Sequence, residues 1–195
     1  VHIEDLAAAV RENTVMLVMT AASNVTGTLQ PIFEAGQLAK KLGLVFLLDA
    51  AQWAGSLPLD VQKAEVSLMA FPGHKGLLGP LGTGGLYAAP GIELAPLLFG
   101  GTGTESKSRL QPRDFPEGFE AGTVNAPAII GLGYSVSVIQ KIGIEAVCCH
   151  ERELVGMFDE AVSNMDFVTL YGPAADAKSG ISLFNIDGMD CEETG

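Results

Sequence analysis

Lys75 directly follows an apolar stretch, in "AFPGHKGLLGP", with His74 before it and glycines at positions 73 and 76. Asp49 ends another apolar run, in "FLLDAAQ". An amine that must attack a carbonyl needs small neighbours so that its target can approach, and an apolar setting to lower its pKa. A carboxylate just past a strand can keep a heteroaromatic nitrogen protonated. Together the two meet the needs of a pyridoxal phosphate site: an amine for the aldehyde and an acid for the ring nitrogen. Each residue also has a plainer reading. Lys75 can be a surface lysine in a glycine turn, and Asp49 can cap the turn after its strand. The pair gains weight only if both residues reach the same edge of one sheet.

The elements that would place them are short and apolar. Residues 14–20, 44–48 and 66–71 are near-continuous apolar runs, the pattern of strands covered on both faces. A weaker strand falls at 85–88. "IEDLAAAVRE" and "IFEAGQLAKKLG" have helical spacing, the second closed by Gly43. Buried strands alternating with helices predict parallel βαβ units, so 44–48 and 66–71 are expected to be one such step apart. Open α/β sheets bind ligands beyond the carboxyl ends of their strands, which would bring Asp49 and Lys75 to one functional edge.

After Pro90 the pattern changes. Residues 99–120 form a long loop rich in Gly, Ser and Pro, expected to be functional or mobile. A long helix is predicted from about Asn125, and a second over "IEAVCCHERELVGMFDEAVSNM". "FVTLYG" and "ISLFNIDG" read as two strands of a smaller α+β unit. The chain starts and stops in mid-pattern, as a piece of a longer protein would.

Composition narrows the function classes. Apolar residues make up 48% of the 195 and charged residues 17%, enough apolar mass for a real core. Eleven Lys and Arg stand against 23 Asp and Glu, a formal charge of −12, which disfavours nucleic acid and anionic membranes as partners. No apolar run reaches the roughly 18 residues of a transmembrane helix. Cys148, Cys149 and Cys191 are odd in number and lack CxxC spacing, so a reducing cytoplasm is the expected setting. The three histidines are scattered and predict no metal site. "GPLGTGG" and "GGTGTES" match neither GxxxxGK[ST] nor GxGxxG, although the second could form a backbone anion nest. Cys148 and Cys149, in a helical pattern, read as packing residues, as do Trp53 and Tyr87.

With these residues assembled, the chain resembles the class V aminotransferases, in their cysteine desulfurase and selenocysteine lyase branch. The resemblance rests on "SNVTGTLQPI", "LLDAAQWAGSLPLDV", "FPGHKGLLGPLGTGGLY" and "FEAGTVNAPAIIGL", in family order over residues 23–132. It implies a fold-type-I pyridoxal phosphate enzyme, with residues 1–143 in the large domain and its linking helix, and 144–195 opening the small C-terminal domain. It implies that Lys75 forms the internal aldimine, that Asp49 meets the pyridine nitrogen and that Gln52 bonds the ring hydroxyl. His74 would be a phosphate ligand, and Asn24 would lie near the ring and the substrate carboxylate. Thr123 would reach the phosphate of a neighbouring subunit, which implies a homodimer with the 100–120 loop near the partner's site.

The chain also departs from the family pattern. Pro72 stands where relatives often carry a serine, and Ala21 where they often carry a histidine. The family's phosphate-cradling loop and ring-stacking histidine would precede Val1. The Arg-Thr-Gly-x-His-Cys loop that bears the persulfide cysteine is not present. The resemblance therefore implies a lyase taking sulfur or selenium from cysteine or selenocysteine, with a possible sulfur-acceptor protein. Amino transfer to a keto acid is the alternative. A third reading is a fragment, inactive in isolation, that only folds or associates.

Overall fold

The computed structural model describes residues 1–101, 107–108 and 110–194. Its main sheet has strands β1 (Met16–Thr20), β2 (Val45–Asp49), β3 (Leu68–Pro72) and β4 (Gly84–Ala88), in the spatial order β1-β2-β3-β4. The first three run parallel, and β4 returns antiparallel to β3. This is the mostly parallel sheet with flanking helices that the alternating pattern predicts. Helices α1 (Ile3–Ala9) and α2 (Ile32–Leu42) join the strands in one core.

α2 buries Ile32, Ala35, Gly36 and Ala39, the i, i+3, i+4, i+7 stripe of an amphipathic helix. Gly43 ends it in the left-handed conformation (φ 68°), and its N–H reaches the carbonyls of Ala39 and Lys40. Phe46 and Leu48 of β2 are fully buried. Burying each such side chain is worth about 1.5–3 kcal/mol.

One expectation is corrected. The run at 14–20 predicts a strand covered on both faces, but β1 is covered on one. Register sets Leu17 and Met19 beside Phe46 and Leu48, and Met16 and Val18 beside Val45 and Leu47. The first set joins the core, whereas Val18 is 62% exposed. An apolar run reports two apolar faces, not which of them a helix will cover. The step from β2 to β3, where "GSLPLDVQKA" reads as a short loop, runs through turns at 51–56 and 61–65. Gly55, at φ 91°, and Pro58 both disfavour helix there.

Beyond β4, helix α3 (Ala126–Ile142) begins where the sequence predicts, with the Asn125 side chain accepting from Ala128 N–H at 3.3 Å. α4 (Ile144–Ser163) follows at an 80° bend. No single helix among the described residues is long and apolar enough to cross a membrane. Strands β5 (Val168–Tyr171) and β6 (Leu183–Ile186) pair antiparallel as a second sheet. In the long loop, Gln111 accepts from Gly100 N–H and donates to Gly118 C=O. Most of "GGTGTES", the candidate anion nest, lies outside the described residues.

Candidate functional site

Three loops leave the carboxyl ends of parallel strands and stand side by side. Thr20, Asp49 and Ala70 are in register across β1, β2 and β3. The pairing continues past the strand ends, with Ala21 N–H bonded to Asp49 C=O at 2.8 Å and Ala50 N–H to Ala70 C=O at 2.9 Å. Asn24 lies in the first loop, Asp49 and Gln52 at the second, and His74 and Lys75 in the third. The structure thus brings five of the six candidates to one sheet edge. Thr123 is exposed on the loop that leads into α3, not on a strand end.

The second and third loops touch through backbone. A Cβ on Gly55 would sit 2.2 Å from the Gly76 carbonyl carbon, and one on Gly76 would sit 2.7 Å from Ala54 C=O. Only two glycines let these chains approach so closely. This changes the reading of the bare backbone beside Lys75. The space at Gly76 is filled by the turn after β2, and the space at Gly73 by Thr83, whose Oγ1 would lie 2.2 Å from a Cβ there. The glycines seat the lysine turn against its neighbours.

The turn itself is tightly made. Leu78 N–H bonds Lys75 C=O at 2.8 Å, and Gly79 N–H bonds Gly73 C=O at 2.7 Å. Leu78 is held at φ 56°, a conformation costing a non-glycine residue of order 1–3 kcal/mol. Ser135 of α3 donates to Leu78 C=O at 3.0 Å, and the Leu132 side chain packs against Gly73 and Gly79. Sequence reasoning did not find this support from α3, because it joins residues more than fifty positions apart.

Lys75, His74, Asp49 and Asn24 are exposed, and Gln52 is half-buried. The apolar enclosure expected around Lys75 is not formed by the described residues. Asp49 does act as a turn cap, its Oδ1 accepting from Ala51 N–H at 2.9 Å. The two readings of Asp49 are compatible, since its Oδ2 has no partner among the described residues. The Lys75 ammonium likewise has no ion-pair partner there. Trp53 and Cys148 are buried in the core and Tyr87 packs against it, as their packing reading requires. Cys149 is exposed.

Sequence reasoning also missed a buried polar group. Lys178 is fully buried, pairs with Asp159 at 2.5 Å and donates to Ser182 Oγ at 3.2 Å. Around it the chain is clasped to the first loop: Ser179 N–H bonds Gly27 C=O at 2.8 Å, and Leu29 N–H bonds Ala177 C=O at 3.0 Å. No local spacing marks Lys178, whose partners come from α4 and from the segment before β6.

A parallel sheet whose acid and lysine loops share one edge, joined to a helix-linked second sheet, defines a class of protein. The aminotransferase class-V family model matches residues 1–195, and the chain belongs to that family. It is 41% identical over 194 residues to a protein of Methanothermobacter thermautotrophicus named "Probable cysteine desulfurase", covering 97% of this chain and 47% of that one. A structure titled as the apo form of cysteine desulfurase from Thermococcus onnurineus NA1 matches with a TM-score of 0.89 at 29% identity, covering 100% of this chain and 49% of that one. A cysteine desulfurase of Escherichia coli matches with a TM-score of 0.85 at 26% identity, covering 97% and 48%. The chain spans about half the length of the curated relatives it matches.

Proposed function

We propose that this chain carries the lysine half of a pyridoxal 5'-phosphate site in a cysteine desulfurase-like lyase, with selenocysteine lyase chemistry in the same branch. The observation that carries the reading is the placement of Asp49 and Lys75. They leave adjacent parallel strands at the same edge, in loops packed backbone to backbone at Gly55 and Gly76. The donor set suits the cofactor: one free carboxylate oxygen for a ring nitrogen and one unpaired amine for an aldehyde.

When bound, the cofactor supplies an electron sink that acidifies the α-carbon of an amino acid. In this reading the Lys75 amine would hold the aldehyde and could move a proton to or from the substrate. The Asp49 carboxylate would keep the ring nitrogen protonated. Gln52 would donate to the ring hydroxyl, and His74 would bind the phosphate. Asn24 orients the substrate carboxylate, with cysteine or selenocysteine as the substrate. The thiol that receives the sulfur is not among these strand-end residues, and a sulfur-acceptor protein would take it onward. Thr123 would reach a partner's phosphate in a homodimer, with the 100–120 loop near the partner's site. The division at residue 143 separates the cofactor domain from the small domain. All three cysteines are free, which supports a reducing, cytoplasmic setting.

The test is a chemical trap. The chain is incubated with excess pyridoxal phosphate, reduced with borohydride and digested, and the adducts are mapped by mass. Reduction accumulates even weak occupancy as a stable bond. The reading predicts a reducible visible band and an adduct concentrated on Lys75. Modification spread evenly over the exposed lysines, Lys40 and Lys63 included, would refute it.

A further inference from the structure

A cavity of about 490 Å³ lies between the turn after β2, the face of α4 and the chain leading into β6. That size suits a small organic ligand. Of the proposed cofactor residues Gln52 lines it, and Asp49, His74 and Lys75 do not. Its polar groups converge from three elements. Ser56 Oγ donates to Glu151 Oε1 at 3.0 Å. Glu151 Oε2 has no donor among the described residues, and the side it faces is occupied by Gly180, where even a Cβ would lie 3.4 Å away. Ser179 is only 7% exposed, and its Oγ is buried without a hydrogen-bond partner. Buried hydroxyls in native proteins nearly always have a partner, so this one marks a place where a ligand group belongs.

The charge of the site selects the ligand. Lys178, the cation nearest in sequence to Ser179, is spent on Asp159 and Ser182, and no protein cation pairs with Glu151 among the described residues. An anion would meet an unneutralised carboxylate at close range, whereas a cation would be attracted. Beside these groups, Val155, Phe158 and Ile181 give the cavity an apolar lining. We propose that this cavity binds a small organic cation, a primary ammonium on a short aliphatic stem. The ammonium donates to Glu151 Oε2 and Ser179 Oγ, and the stem lies along Val155, Phe158 and Ile181. The cavity adjoins the proposed cofactor site through Gln52, but the groups that bind the ammonium are not cofactor ligands and need no cofactor in place.

The experiment is a calorimetric titration of the cofactor-free chain with n-butylammonium chloride, n-butanol and sodium butyrate at constant ionic strength. Butylammonium should bind saturably, with butanol and butyrate each weaker by about tenfold or more, as for the loss of one charge-assisted hydrogen bond. Glu151→Gln should weaken butylammonium by a similar factor while leaving butanol unchanged. Ser179→Val, which fills the cavity floor, should reduce both. Melting curves of the variants identify any that fail to fold, and the ligand series on the unaltered chain stands without them. No saturable binding of butylammonium, equal binding of butanol, or undiminished binding to folded Glu151→Gln would each overturn the proposal.

Discussion

Two lysines of this chain stand in opposite settings. Lys75 is exposed, in a turn shaped by backbone bonds, glycine contacts and the Ser135 hydroxyl, and its ammonium pairs with nothing among the described residues. Lys178 is fully buried and spent on Asp159 and Ser182, in a segment clasped to the Gly27 loop. Where the main chain and glycines hold a loop, its side chain remains free for chemistry. Where two separate segments must be locked together, the side chain becomes the lock. Burial thus commits Lys178 to structure, whereas exposure leaves Lys75 without a structural task.

The largest expected effect breaks the lock. Lys178→Met leaves the mostly buried Asp159 carboxylate without its cation and should cost about 3–5 kcal/mol in urea unfolding. Adding Asp159→Leu should recover much of that loss, because an apolar pair of similar volume replaces a buried charge pair at little cost. If Lys178→Met unfolds at the same urea concentration as the unaltered chain, the clasp is not what holds these segments.

Next comes the seat of the other lysine. Gly55→Ala forces a Cβ into the Gly76 carbonyl at a positive φ and should cost about 1–3 kcal/mol. It should also lower the share of trapped cofactor found on Lys75. Gly133→Ala is the control. That glycine lies in α3, a Cβ there meets nothing within 4 Å, and the helix should gain up to about 1 kcal/mol.

Lys75→Ala should change stability by less than about 0.5 kcal/mol while removing the reducible band. A loss as large as that at Lys178 would mean that the two lysines do not differ as described.

The smallest effect lies away from both lysines. Lys63 N–H, bonded to the Asp60 carboxylate, holds that group below its ordinary value of 3.8, helped by the Lys63 side chain and by Gln62 N–H. A carboxyl lowered in the folded chain contributes stability above its unfolded pKa and loses it as pH falls through the folded one. Asp60→Asn should therefore lower stability slightly near neutrality, with the difference from the unaltered chain shrinking as pH falls below 3.8. A deficit that stays the same at every pH would point to a different role for Asp60.

Local chemistry made much of this legible in the sequence. Apolar runs located β1, β2 and β3 within two residues, Gly43 marked the end of α2, and Asn125 marked the start of α3. Asp49 and Lys75 followed from the same runs, because a strand's last residues fix which edge the next loop occupies, whereas Asn24, Gln52 and His74 came from the family resemblance alone. What could not be read depends on partners distant in the chain. The bare outer face of Val18 depends on where helices pack, which a run of apolar residues does not encode. The role of Gly55 depends on Gly76, and that of Lys178 on Asp159 and on the loop around Gly27. The glycines beside Lys75 were noticed for the right position but for a different reason, since they admit protein backbone.

The most direct measurement is a crystal structure of the chain treated with pyridoxal phosphate and reduced with borohydride. The account predicts the pyridoxyl group on Lys75 Nζ, with its ring nitrogen at hydrogen-bond distance from Asp49 Oδ2. A pyridoxyl group on another lysine, or on Lys75 with its ring turned away from Asp49, would contradict it.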